Sequence, residues 1–330
     1  MSFTQVVPVP TRLNRSQLFV PCIREALFEK AAKGEADVIC LDLEDSVAPP
    51  DKPKARENLI AALHDVDFGK KSVSMRINGL DTAWCYRDIV DVVEKGGERL
   101  DLIMIPKVGT ASDIYAIDML LTQIEKAVGR KKRIRIEFIL ESAMGLENIN
   151  EIVRASMRLD AVHFGAADFA ASTGMRTTNI GGPNPDYAIL TDADEKGARQ
   201  VHWQDLWHYP MMRLVAAARA AGLRPIDGPF GNYSDGEGFK AQARRSAILG
   251  CEGKWAIHPS QVALANEVFT PPQAEVEKAE RIVKAMKEGE SQHMGAVAMD
   301  GQLIDAASIR QAEVIVRQME MIRERTGSKA

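Results

Sequence analysis

The sequence predicts a (β/α)8 barrel with a C-terminal extension, and three observations predict it. Eight short apolar runs alternate with helix-forming stretches at a roughly regular interval. Several runs end on charged residues, and the carboxyl ends of barrel strands are where reacting groups gather. No glycine-rich phosphate turn follows the first run, which counts against a doubly wound sheet, the main rival.

After an irregular arm over residues 1–15, SQLFVP (Ser16–Pro21) reads as the first strand, and Arg24 to Lys33 as a helix closed by Gly34. ADVICLDLEDSV (36–47) is the second strand and ends in Asp42, Glu44 and Asp45. Pro49-Pro50 break the chain before a helix over 52–63. SVSMRI (72–77) is the third strand and carries Arg76, and Trp84 to Glu94 is helical up to Gly96-Gly97. LDLIMIPKV (100–108) is the fourth strand, and Ala111 to Val128 an amphipathic helix.

The fifth strand lies in RIRIEFILESAMG (133–145), which alternates, then runs apolar, and stops on Glu141. Residues 145–157 are expected to be helical, and LDAVHFGAADF (159–169) is the sixth strand, carrying Asp168. A long irregular stretch follows, and 187–221 is expected to be mostly helical. LRPIDGPFGNY (223–233) is strand seven, with a helix over 235–249, and GKWAIHPSQ (253–261) is strand eight. Residues 1–270 are therefore assigned to the barrel and 271–330 to an extension: a charged helix over 273–287, a small hairpin turning at Asp300-Gly301, and a last helix over 306–325. The extension exceeds what eight strands need. It suits a lid, on its own barrel or on a neighbour's.

The 330 residues are 45% hydrophobic and 27% charged, an ordinary globular balance. Net charge is 42 − 46 = −4, which argues against nucleic acid or an anionic membrane as partner. No apolar run approaches the ~20 residues that span a bilayer, and the N-terminal stretch lacks a signal-peptide core. Cys22, Cys40, Cys85 and Cys251 have neither CxxC nor zinc spacing, which suggests reduced core thiols and a cytoplasmic setting.

Glu141 and Asp168, at adjacent strand ends, read either as two ligands of Mg²⁺ or Mn²⁺ or as a buried ion pair and a helix cap. Arg76 ends an apolar strand and must meet a carboxylate, either internal Glu44 or that of a substrate. Along strand two, alternation puts Asp42 and Glu44 on one side and Asp45 on the other. His258 reads as a packed residue or a ligand contact. Arg24 and Lys30 read as solvated helix charges or contacts to a phosphorylated ligand. Asp300 reads, from spacing, as a plain turn residue.

The motifs LDLEDSV, SMRING, MIPKV, IEFILESAMGL, VHFGAADFAASTGM, GKWAIHPSQV and GAVAMDGQLID, spread over nearly the whole chain, resemble the citrate lyase β-subunit-like family of the HpcH/HpaI aldolase superfamily. The TTNIGG insertion, LRPIDGPFGNYSD and the long extension look most like its bacterial lyases of malyl-CoA and β-methylmalyl-CoA.

The resemblance implies a Mg²⁺-dependent, reversible carbon–carbon lyase. It implies Glu141 and Asp168 as metal ligands and Arg76, Glu44 and Asp300 as the catalytic set, with Asp300 on a lid that reaches into an adjacent subunit. Phe19, Arg24, Lys30, Ala167, Ile257 and His258 are implied beside the substrate and its CoA moiety, and the assembly as a homotrimer or homohexamer. Its substrates would be acyl-CoA and glyoxylate. The alternatives are a malyl-CoA thioesterase or malate synthase-like activity, a citramalyl-CoA lyase, and a lyase subunit serving an acyl-carrier partner.

Overall fold

The structure, a computed structural model, describes residues 6–177, 179–291 and 296–326. Eight parallel strands close into a barrel in chain order: β1 (Ser16–Pro21), β2 (Val38–Asp42), β3 (Ser72–Arg76), β4 (Leu102–Ile105), β5 (Arg135–Leu140), β6 (Leu159–Phe164), β7 (Arg224–Asp227) and β8 (Gly253–Ala256), with β8 returning to pair with β1. These strands read as near-continuous apolar runs because both faces are buried. Ile39, Leu41, Met75, Ile103, Phe138 and Val162 are fully buried among the helices outside.

Inside, the two-residue period of a strand stacks side chains in layers. Cys40, Met104, Ile139, Ala161, Ile226 and Trp255 form an apolar layer, with Phe19 packed against it. Gln17 and Glu137, two residues earlier on their strands than Phe19 and Ile139, form a polar layer with Ser74 and with His163, whose Nε2 lies 3.4 Å from Glu137 Oε1. Ser74 Oγ donates to Glu137 Oε2 at 2.9 Å and Gln17 Nε2 to the same oxygen at 3.1 Å. Arg12, from the N-terminal arm, closes this end of the barrel, reaching Glu137 at 2.7 Å and Asp160 at 2.8 Å. Two residues later than the apolar layer, Asp42 and Glu141 face the opposite end.

Three expectations are corrected. The stretch 187–221 is not mostly helical: it opens with an antiparallel hairpin, Ala188–Leu190 paired with Val201–Trp203, and only His208–Ala220 is a helix. Asp194 Oδ1 accepts the N–H groups of Lys196 and Ala198, and Thr191 Oγ1 that of Gln200, so local polar side chains hold a loop where a helix was expected. The helix expected over 145–157 is two short ones, Ala143–Glu147 and Ile149–Ile152, broken where Asn148 donates its side chain to the Gly109 carbonyl. Strand six ends at Phe164, and Asp168 lies in the first turn of a helix, Ala166–Thr173.

The chain divides into compact units over residues 1–267 and 268–330. The second contains helices Gln273–Ser291 and Ala306–Thr326 and a hairpin of Val297–Met299 with Gln302–Ile304. Ala279, Ile282, Met286, Ile304 and Ala312 give it a core of its own. Its turn residues Asp300 and Gly301 have φ of 50° and 74°, the left-handed pair that a two-residue hairpin turn requires. Among the described residues no helix is long and apolar enough to cross a membrane.

Candidate active site

The carboxyl ends of β2 to β6 bring a charged cluster to one end of the barrel. The β2–β3 register sets Asp42 opposite Arg76. Arg76 grips Asp42 with two parallel hydrogen bonds, Nε to Oδ1 at 2.6 Å and Nη2 to Oδ2 at 2.7 Å. Its Nη1 lies 2.8 Å from Glu44 Oε2 and 3.3 Å from Asp45 Oδ2. All three acidic residues of LDLEDSV thus turn to Arg76, and the expected opposite orientation of Asp45 is wrong. The strand ends at Asp42, so alternation no longer applies beyond it.

Burial disfavours the Asp42 carboxylate, but the Arg76 guanidinium overrides this and holds its pKa below the usual carboxylate value. Glu44 is pushed above its usual value by burial, against the opposing charges of Arg76 and Lys107. The guanidinium lies 5.2 Å over the Phe19 ring, which packs 4.2 Å from Trp255. Trp255 Nε1–H in turn donates to His163 Nδ1 at 2.8 Å. Phe19 therefore sits beneath Arg76, inside the barrel mouth.

Glu141, after β5, is 4% exposed. Its Oε1 accepts the Lys107 backbone N–H at 2.6 Å. Gly165 is required beside it: a Cβ there would lie 2.4 Å from Glu141 Oε2 and 2.6 Å from Glu141 Cβ. Burial first, and the charge of Asp168 second, push the Glu141 carboxyl up to about 8. Among the described residues, no Lys, Arg or His side chain forms an ion pair with either Glu141 or Asp168. Two neighbouring carboxylates without a counter-ion, one of them buried, fit a hard divalent cation that takes oxygen ligands and keeps several waters. Among the described residues no group of three His, Cys, Asp or Glu side chains forms a metal-ligand cluster. The candidate donors are this pair.

Lys107 is the residue that sequence reasoning missed. Pro106 stops the strand, and Lys107 adopts φ 56°, uncommon for a residue with a side chain. Its N–H turns to Glu141, while its ammonium reaches Glu44 Oε1 at 2.7 Å. A lysine immediately after a proline at a barrel strand's carboxyl end was the available signal.

The other candidates are more dispersed. Arg24 and Lys30 are exposed beside the 3-10 turn and helix after β1, and Ala167 is exposed next to half-buried Asp168. His258 is exposed after β8, stacked 4.8 Å from Tyr233, with Ile257 39% exposed before it. Asp300 belongs to the second unit, at its hairpin tip, where it pairs with Arg281 at 3.0 Å.

Known proteins match this chain closely. Residues 15–259 match the HpcH/HpaI aldolase/citrate lyase family. An L-malyl-CoA/β-methylmalyl-CoA lyase of Rhodobacter capsulatus is 58% identical over 97% of this chain and 99% of its own length. A malyl-CoA/β-methylmalyl-CoA/citramalyl-CoA lyase of Chloroflexus aurantiacus is 40% identical over 95% of this chain and 90% of its own. The crystal structure of protein CitE from Mycobacterium tuberculosis, in complex with magnesium, acetoacetate and coenzyme A, superposes with a TM-score of 0.68 at 26% identity, over 92% of this chain and 97% of that one.

Proposed function

The chain belongs to the HpcH/HpaI aldolase/citrate lyase family, and from that premise we propose that it reversibly cleaves L-malyl-CoA to acetyl-CoA and glyoxylate, and β-methylmalyl-CoA to propionyl-CoA and glyoxylate. It is a carbon–carbon lyase. The observation that carries the substrate assignment is the 58% identity to the R. capsulatus lyase over nearly the full length of both chains.

In this reading Glu141 and Asp168 hold Mg²⁺, with Mn²⁺ an accepted substitute. The bound ion supplies a Lewis acid that draws electron density from the reacting oxygen. The protein's own groups do the rest. Arg76, held in place by Asp42 and Glu44, faces the oxygen that gains charge. A preset guanidinium needs no reorganisation as that charge develops. Cleavage moves the substrate hydroxyl's proton to a base, breaks the adjacent carbon–carbon bond, and leaves the thioester enolate to be protonated. Condensation reverses each transfer. Asp300 is assigned this proton traffic, on a C-terminal unit that closes over the barrel of a neighbouring subunit and excludes water. Phe19, Arg24, Lys30, Ala167, Ile257 and His258 surround the substrate and its CoA moiety. The protein would work in the cytoplasm as a homotrimer or homohexamer.

The test is an assay with acetyl-CoA, glyoxylate and Mg²⁺, with and without EDTA, following thioester and free thiol together. Malyl-CoA with the thioester retained, lost on chelation, is the expected result. Free CoA with malate would indicate the thioesterase or malate synthase-like alternative instead. The C. aurantiacus relative's name makes pyruvate the second acceptor to try, and citramalyl-CoA would be its product.

A further inference from the structure

We infer that Lys107 is a positioning residue that keeps Arg76 able to receive an anionic substrate, by holding Glu44 between two cations. The inference rests on the reading of Arg76 as the group that meets the oxo acid.

The charges around Arg76 make the difficulty plain. One guanidinium faces three carboxylates, those of Asp42, Glu44 and Asp45. Asp42 occupies Nε and Nη2, and Glu44 and Asp45 both lie against Nη1. Three of the five N–H donors are hydrogen-bonded to Asp42 and Asp45, and Glu44 lies against Nη1 as an ion pair, so few donors remain for a ligand. Asp168, in the helix after β6, adds a further carboxylate at the same end of the barrel. A glyoxylate carboxylate approaching this end of the barrel meets an acidic surface with a nearly saturated arginine.

Two further cations lie among these groups: Lys52, whose ammonium donates to the backbone carbonyls of Leu43 and Glu44, and Lys107, whose ammonium reaches the Glu44 carboxylate itself. The Lys107 ammonium takes Glu44 Oε1 at 2.7 Å, leaving only Oε2 for Arg76. Asp45 Oδ1, at 3.9 Å, is too far for a hydrogen bond. With Lys107 in place, Glu44 Oε1 is held away from the guanidinium, and the carboxylate's charge is shared between two cations rather than directed at the incoming acid. Burial works against the ammonium, but the hydrogen bond to Glu44 raises its pKa above the ordinary lysine value, so it stays charged.

The backbone shows the same fit. Lys107 and Asp300 are the only non-glycine residues at positive φ among the described residues. In that conformation one residue fixes Glu141 through its N–H and Glu44 through its side chain. The two carboxylates, one on the metal side of the site and one on the arginine side, are thereby tied to a single point of the chain. Strain of this kind persists where surrounding contacts hold it, and it gathers at functional sites.

Lys107→Met keeps the apolar stem and the backbone N–H and removes the charge. Lys107→Arg restores the charge. The measurement is calorimetric titration of glyoxylate into each protein with saturating Mg²⁺, and of Mg²⁺ into each alone. Lys107→Met is expected to bind glyoxylate about tenfold more weakly, or about 1.4 kcal/mol. Lys107→Arg is expected to recover most of that loss. Mg²⁺ affinity should not fall in either variant, because Glu141 keeps its backbone donor. Equal glyoxylate affinity in wild type and Lys107→Met overturns the inference, as does a loss of Mg²⁺ affinity in step with glyoxylate. If the binding pattern holds but the wild type forms no malyl-CoA, the inference stands and the proposed reaction fails.

Discussion

Arg76 and Asp42 meet fork to fork across β2 and β3, with both hydrogen bonds at 2.7 Å or less. Two parallel N–H···O bonds fix the plane of the guanidinium as well as its position. A group whose plane is fixed can be complementary to one charge distribution, that of the transition state, and less so to others.

Arg76→Lys tests this directly. A point ammonium cannot span both Asp42 oxygens, so the charge is retained and its orientation lost. The expected outcome is a fall in kcat/KM on the order of 10²-fold, with kcat affected as much as KM, since misplacement of about 1 Å has that cost. Steady-state kinetics with acetyl-CoA and glyoxylate would check it, and near-normal kcat would reject the orienting role.

Gly165→Ala tests the cradle of Glu141. The added Cβ would lie 2.4 Å from Glu141 Oε2, so the carboxylate has to move. Mg²⁺ affinity is expected to fall at least about tenfold, measured by calorimetry, while the far-ultraviolet circular dichroism stays that of an α/β barrel. Unchanged affinity would mean that Glu141 does not hold the ion where it now sits.

Glu141→Gln separates stability from metal binding. Burial and the Asp168 charge push this carboxyl up to about 8, so its ionised form is destabilising without a cation. The metal-free variant is therefore expected to melt no lower than the metal-free wild type. Mg²⁺ should stabilise the wild type by about 2.7 kcal/mol at 100 Kd and the variant hardly at all. A variant that gained the full Mg²⁺ shift in Tm would remove Glu141 from the ligand set.

Glu137 supplies the pH dependence. Burial works against its charge, but the His163 ring, the Arg12 guanidinium and the Gln17 amide prevail and lower its pKa to about 2. A depressed acid contributes stability that is fully present above the unfolded value near 4.5 and is lost as pH falls through the folded value. The contribution, about 3 kcal/mol, should therefore disappear between about pH 5 and pH 1. Urea midpoints of wild type and Glu137→Gln, compared across pH 7 to pH 3, should converge on acidification. Parallel curves would contradict the assignment.

Asp300→Asn is expected to retain the fold and CoA binding and to lose most turnover, because an amide cannot exchange the proton. Its counterpart Arg281 pairs with Asp300 while both are more than half exposed, so the pair itself contributes little to stability. Near-normal kcat in the variant would reject Asp300 as the acid/base.

The order of eight strands was legible in the sequence because a parallel barrel buries both faces of every strand, and apolar runs such as Val38–Leu41 and Phe138–Leu140 report that burial locally. The motif ends that carry charge were legible for a related reason: Arg76 and Glu141 interrupt apolar segments where a charge needs a partner. The hairpin at residues 188–203 was not legible, because its bonds from Asp194 and Thr191 outweigh the helix-forming residues around them.

What the sequence alone determined is the set of residue types and their place along each strand, since a period of two fixes which side chains share a face. What only the tertiary structure decided is which of them meet. The β2–β3 register put Asp42 rather than Glu44 into the arginine's fork, the end of the strand let exposed Asp45 reach Arg76, and a left-handed backbone at Lys107 joined Glu44 to Glu141. These contacts span 31 to 63 positions of sequence, and no local pattern encodes a distance of a few ångströms between groups so far apart along the chain.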